Sequence, residues 1–272
     1  MLPQKDAIVR LLRDDDPSTV RLVKQQLAQG GVDAIADLRD LLLVDDEKVT
    51  RHVSEVIGEI DSQAATDALT ALCPVFPEDG DLEAANWLLA RAVLPGVDVN
   101  RCIAQLDAWA DALGNVRKIH PAEKRILALS AYIGTTLNFR GNADDYYSVD
   151  NSMLPRVVAT RLGIPISLTL IYMLIGKRCG VQIEGVNFPG HFLARHDEVL
   201  FDPFERGRIL RISDCEEILA RQRLKLQPTY LDTASSRAML RRILANLLYA
   251  FQNGGDADKA ARVTGWIHAL ER

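Results

Sequence analysis

The chain has 272 residues, 48% of them hydrophobic and 25% charged, with a formal net charge of −5. That length and balance suit one large or two ordinary soluble domains with a substantial core. The acidic balance argues against a nucleic-acid partner and for neutral or basic protein partners.

The opening MLPQKDAIVR carries charges but no apolar run, so no secretory signal is expected. The four cysteines, at 73, 102, 179 and 215, have no metal or redox spacing. They fit buried thiols in a reducing cytoplasm, with no disulfide expected. No metal or cofactor is expected either.

Residues 1–75 read as helical and faintly repetitive. LLRDDDPSTVRLVKQQLA and LLVDDEKVTRHVSEVIGEI align at an offset of about 30 residues, pairing Leu12 with Leu42, Asp16 with Asp46, Val23 with Val53 and Leu27 with Ile57. Asp16 followed by Pro17 is a helix cap with proline at the first helical position, and Asp45–Asp46 opens the equivalent helix. This pattern predicts two HEAT-like helical hairpins, whose outer face either binds a partner or covers the core. Two repeats are marginal alone and should pack on the core segment next in the chain.

Pro74, Pro77 and the run PEDGD mark a connection into that core segment, at 76–212. Helices are predicted from Leu82 to Pro95, over 100–113 with Asn100 as candidate cap, and from Pro121 to Asn138, preceded by a solvated His120. Trp87 and Trp109 lie on apolar stripes and read as core. In the loop DDYYSVDNS, Asp144, Asp145 and Asp150 flank two tyrosines. Such acids either cap turns or hold a hard cation, but the spacing matches no calcium loop.

A buried helix is predicted next. Pro165 suits a first helical position, and apolar residues from Ile166 to Ile175 cover nearly every face. Lys177 and Arg178 complement its negative end, and Gly180 suits a left-handed cap. A membrane span needs roughly 20 apolar residues; this run is shorter and holds Ser167, Thr169 and Tyr172, so no membrane association is expected. VQIEGV then reads as a strand, NFPG as a turn, and HFLAR and VLF as a hairpin. A two-residue loop at His196–Asp197 sets His191 directly opposite Asp202, and a three-residue loop sets the pair on a diagonal. Either way Asp202 is placed to accept the Nδ1–H of His191, as an orienter of a catalytic base or as a structural hydrogen bond.

After Phe204 a last strand leads to a helix capped at Ser213 or Asp214. Residues 213–272 form a C-terminal helical segment whose final two helices, 235–252 and 256–270, meet at Asn253-Gly254-Gly255. Leu247–Tyr249 and Ala257-x-x-Ala260 resemble one tetratricopeptide unit, which packs on the core and is a candidate for homodimer or partner-helix contact.

Several short motifs occur together and in order: FRGN (Phe139–Asn142), DYY (Asp145–Tyr147), NSxL (Asn151–Leu154), GIPISL (Gly163–Leu168), PGHFL (Pro189–Leu193) and FDPF (Phe201–Phe204). In these the chain resembles the transglutaminase-like core of the invasion-regulator (SirB-type) family, which joins that core to tetratricopeptide-like helices. The expected fold is therefore mostly helical α+β, with a transglutaminase/papain-like core. Pro155 stands where the family pattern has Asn, and Glu205–Arg206 where it has Asn-Gly.

In active members of such folds, the resemblance implies, a cysteine at the start of the buried helix is activated by the helix dipole and paired with a histidine, which an aspartate orients. His191 and Asp202 match the last two roles. The helix start, Gly163-Ile164-Pro165-Ile166-Ser167, contains no cysteine. Ser167 is the nearest hydroxyl, either a nucleophile or a first-turn group capping its own helix. Cys179 lies 12 positions further on, roughly 18 Å along the helix and at its negative end, which disfavours a thiolate. Two readings remain open: a non-catalytic regulatory protein that binds proteins through its helical flanks, or an acyl-transfer enzyme using His191, Asp202 and Ser167 or a water.

Overall fold

The computed structural model describes residues 5–272, so the first four residues of the segment read for a secretory signal lie outside the described ones. The fold is mostly helical α+β. It divides into two compact units, one holding the chain up to Leu72 together with Trp87–Asp98, the other Cys73–Asn86 and Val99–Arg272.

The first unit is built on α1 (Lys5–Leu12), α2 (Pro17–Ala28), α3 (Ile35–Leu41) and α4 (Glu47–Leu72). Asp16 caps α2, accepting the backbone N–H of Ser18 and of Thr19 at 3.1 Å, and Asp46 takes the N–H of Val49 at 2.9 Å. The two helices that the repeat aligns, α2 and α4, thus start on the same chemistry. Leu12, Leu38, Leu41, Val49, Val53 and Val56 close a core between them. Leu41, rather than Leu42, is the fully buried residue at the end of α3. The later half of α5 (Leu82–Val93) belongs to this unit and is held by the Arg91–Asp61 ion pair and by Ser62 Oγ on the Ala92 carbonyl at 2.9 Å.

In the second unit, α6 (Val99–Leu113) starts at Val99, so Asn100 sits inside its first turn instead of capping it. Next comes α7 (Ala122–Ser130), which widens into a π-helical turn over Ala131–Thr136. The strand β1 (Arg140–Gly141) pairs in parallel with β2 (Leu162–Gly163), and α8 (Leu154–Thr160) lies between them in sequence. Pro155 occupies the first turn of α8, where a missing N–H costs little.

β2 delivers the chain into α9 (Pro165–Arg178), the buried helix foreseen from its composition. Every residue from Pro165 to Tyr172 is buried, because α6, α8, the four-stranded sheet and a C-terminal helix surround it. Its polar end is held by Arg178, whose Nη2 meets Glu83 and whose Nε meets Asp107, both at 2.6 Å. Gly180 then takes the left-handed conformation, φ 69°.

The sheet is an antiparallel meander of β3 (Glu184–Val186), β4 (Leu193–His196), β5 (Val199–Asp202) and β6 (Arg208–Leu210). One face packs Phe201 on Tyr172 of α9, ring centroids 5.5 Å apart. The other packs Val186, Leu193, Leu200 and Leu210 on Cys215 and Leu219 of α10 (Ile212–Ala220). α10 is capped at Arg211, not at Ser213 or Asp214; Asp214 reaches back from the third helical position to the Arg211 N–H at 2.7 Å. The chain closes on the hairpin of α11 (Ser236–Asn253) and α12 (Ala257–Leu270), capped by Ser235 and Asp256.

Candidate functional site

The β4–β5 register pairs His196 with Val199 and Ala194 with Phe201, so the turn is Asp197–Glu198. Asp197 takes φ 49°, a conformation an Asp tolerates better than most residues. The loop therefore sits one residue later than the alternative that opposes His191 and Asp202. Continuing the ladder puts Leu193 opposite Asp202, and His191, two residues before Leu193, approaches the carboxylate diagonally. The contact forms all the same: His191 Nε2 lies 2.7 Å from Asp202 Oδ2. It uses Nε2, where Nδ1 was expected, and leaves Nδ1 without a hydrogen bond among the described residues.

Asp202 is only 3% exposed. Its other oxygen accepts the Phe204 N–H at 2.8 Å, and its carbonyl accepts the Gly207 N–H at 2.8 Å. One carboxylate thus orients the imidazole and starts the turn after β5. That turn brings the Phe204 ring edge-on to His191, centroids 6.0 Å apart. Gly141 makes this possible, since a Cβ there would overlap the Phe204 ring. Gly207, at φ 78°, likewise passes close to Ser130 Oγ and Tyr172 OH, with no room for a side chain. Between them Arg206 adopts a left-handed φ of 57°, held by its Nη1 on the Gly134 carbonyl at 2.6 Å and on Asn138 Oδ1 at 2.9 Å. An arginine thus fills the left-handed place where the resemblance led one to expect glycine.

The helix start is closed on itself. Ser167 Oγ accepts the Ile164 N–H and donates to the Ile164 carbonyl, both at 3.1 Å. The small void beside it is lined by Asn86, Ser152, Leu154, Ile166, Leu170 and Ile243, without His191. Of the three candidate catalytic residues, His191 and Asp202 stand together, and the Ser167 hydroxyl is bound to its own helix cap. Cys179, at the far end of α9, points its Sγ at the Ala110 carbonyl, 3.6 Å away. Burial raises its pKa, as it does for Cys215, and pushes the Cys73 thiol up to about 11. None of these three thiols is a ready nucleophile.

A second histidine cluster had no warning in the sequence beyond its charges. His196, assigned to the hairpin loop, is a buried strand residue: Nδ1 donates to the Gln182 carbonyl at 2.6 Å, and Nε2 accepts from Arg125 at 2.7 Å. Arg125 also lies 3.8 Å from Asp197 and 3.4 Å from the ring of the exposed His120. This cluster ties α7 to the hairpin. In the DDYYSVDNS loop the acids do not converge, and Asp150 faces Arg156 at 3.6 Å. Among the described residues no group of three or more His, Cys, Asp or Glu side chains is placed to hold a metal ion. Nor is any helix among them long and apolar enough to cross a membrane.

Residues 100–245 match the family model described as the transglutaminase-like superfamily. A UPF0162 protein of Xylella fastidiosa is 35% identical over 214 residues, 74% of this chain and 75% of its own length. Another from Pseudomonas aeruginosa is 31% identical over 71% of each chain. Human F-box only protein 21 shares 32% identity over 133 residues, covering 44% of this chain but 21% of that protein. No solved structure matches the chain. The buried helix and the meander behind it fall within the matched residues, and the chain belongs to the transglutaminase-like superfamily alongside the UPF0162 proteins.

Proposed function

We propose that this chain is a regulatory, protein-binding member of the transglutaminase-like superfamily that has no acyl-enzyme chemistry of its own. One observation carries the reading: the helix start offers Pro165 and a self-bonded Ser167 where a nucleophile is required. A hydroxyl held at both its lone pair and its proton by backbone is not available to His191, and a catalytic base needs its partner within ~3 Å. The motif likeness to the SirB-type invasion regulators supports the same reading. So does the match over 133 residues to human F-box only protein 21, of which it covers 21%.

The test is turnover of peptide amides and of glutamine–amine pairs by the intact chain. The expected result is no rate above the blank, and no difference between the native chain and His191→Ala. Turnover that disappears in a folded His191→Ala variant would overturn the proposal. A second reading, amide hydrolysis, is favoured by the unoccupied Nδ1 of His191. In it a water attacks the carbonyl carbon, His191 takes its proton, and that proton passes to the leaving amine nitrogen. Loss of turnover in Asp202→Asn alongside His191→Ala is the result this second reading requires.

A further inference from the structure

The partners of His196 admit only one form of its ring. Nδ1 lies 2.6 Å from the Gln182 carbonyl, an acceptor, and Nε2 lies 2.7 Å from Arg125 Nη1, a donor. A carbonyl cannot donate and a guanidinium cannot accept, so the imidazole is neutral, with its proton on Nδ1. His196 is buried in β4, and Arg125, which comes to it from α7, has a side chain only 12% exposed.

The guanidinium is poorly served there. Its Nε is buried without a hydrogen-bond partner among the described residues. Its Nη2 reaches the ring of His120 at 3.4 Å, and the Asp197 carboxylate stands 3.8 Å from Nη1, beyond hydrogen-bond range. A buried cation is thus held mainly by a neutral imidazole, a costly arrangement. The same carboxylate is 3.5 Å from His196 Nε2 and 62% exposed, so it has room to turn.

The other elements around His196 leave this triangle to itself. Across the hairpin, β5 faces it with Val199. Arg195 points the other way, to the Leu231 carbonyl, and Glu184 of β3 is in register with Arg195. Behind the sheet, α9 commits its only charges, Lys177 and Arg178, to Glu83 and Asp107.

We infer that His196, Arg125 and Asp197 form a proton-operated latch. With the imidazole neutral, Arg125 fastens α7 to the β4–β5 hairpin. A proton taken from solvent onto Nε2 removes the acceptor that holds Arg125 and sets two cations 2.7 Å apart. The new N–H turns to Asp197, the guanidinium leaves for solvent, and α7 is unfastened. Imidazoles change charge between about pH 5 and 8, so mild acidification operates such a device. From α7 the chain runs into the π-helical turn, whose Gly134 carbonyl holds Arg206 beside the turn that presents Asp202 and Phe204. Release of α7 therefore reaches the support of the His191–Asp202 couple without unfolding the sheet.

The experiment follows the full chain, labelled with nitrogen-15 at His and Arg, by NMR at about pH 8 and about pH 5.5. At the higher pH one ring nitrogen of His196 should carry a proton, and the Arg125 Nε–H should be protected from exchange. At the lower pH both ring nitrogens should carry protons. Arg125 protection, corrected for intrinsic exchange, should then fall about tenfold or more. His196→Gln keeps an acceptor for Arg125 but no titrating ring, and should abolish the fall. Asp197→Asn removes the acceptor of the protonated ring, and should move the response about half a pH unit or more to the acid side. His120→Gln should leave the response in place. Equal Arg125 protection at the two pH values, a His196 ring still singly protonated at about pH 5, or a response lost in His120→Gln overturns the inference. So does a cooperative loss of amide protection across the sheet at about pH 5.5, which is acid unfolding and not release.

Discussion

Asp202 does several jobs with one side chain. It accepts from His191 and from Phe204 N–H while almost fully buried. Removing it leaves buried donors without partners, which costs more than the net worth of the bonds themselves. Asp202→Ala should therefore lower stability by about 2–4 kcal/mol. His191→Ala should cost less, since that side chain is 17% exposed and water can replace it. Ser167→Ala should cost about 1–2 kcal/mol through the lost partner of the Ile164 N–H. Urea unfolding of the three variants measures the order. Equal, negligible losses would mean that the couple is kept for chemistry and not for the fold.

At the scale of elements, the loop after β5 is locked to the π-helical turn and to α9 by close backbone approach. Gly207→Ala must accept both a left-handed φ and overlap with Ser130 and Tyr172. A loss of about 2–4 kcal/mol is expected, read as a fall in the urea midpoint with an unchanged slope. The same elements show what was legible beforehand. The ends of α9 were readable because proline and glycine have only a few favourable placements, and Asp16 and Asp46 because a helix start needs an acceptor. The loop position was not, because Asp197 accepts a left-handed backbone and lets His196 join the strand. VQIEGV shortened to Glu184–Val186 because an extended segment becomes a strand only where a neighbour supplies a ladder. The diagonal reach of His191 depended on that register. Phe204 against His191 depended on Gly141, about 60 residues away in sequence, and short-range spacing carries no signal for such a contact.

Across the whole molecule, two sets of titrating groups bound the pH range of stability from opposite sides. Helix-start carboxylates Asp16, Asp46, Asp214 and Asp256 are held below their usual 3.8, Asp16 mainly by the Thr19 hydroxyl and Asp46 mainly by the Val49 N–H. They stay ionised in the fold where the unfolded chain takes up protons, so their contribution is complete above that value and is lost as pH falls through the depressed one. Buried thiols act in the reverse sense. Cys73, lifted from 9.0 to about 11 by burial, keeps its proton in the fold where the unfolded chain releases it. Its contribution is whole below pH 9.0 and disappears as pH rises toward about 11; Cys179, Cys215 and the buried Tyr172 phenol push the same way. Thermal midpoints should accordingly be level through neutral pH and fall on the alkaline side before any carboxylate is involved. Cys73→Ala should make that alkaline fall shallower, at a modest cost near neutrality from the small cavity left behind. An alkaline limb equally steep in the variant would show that the buried thiol is not what the fold protects there.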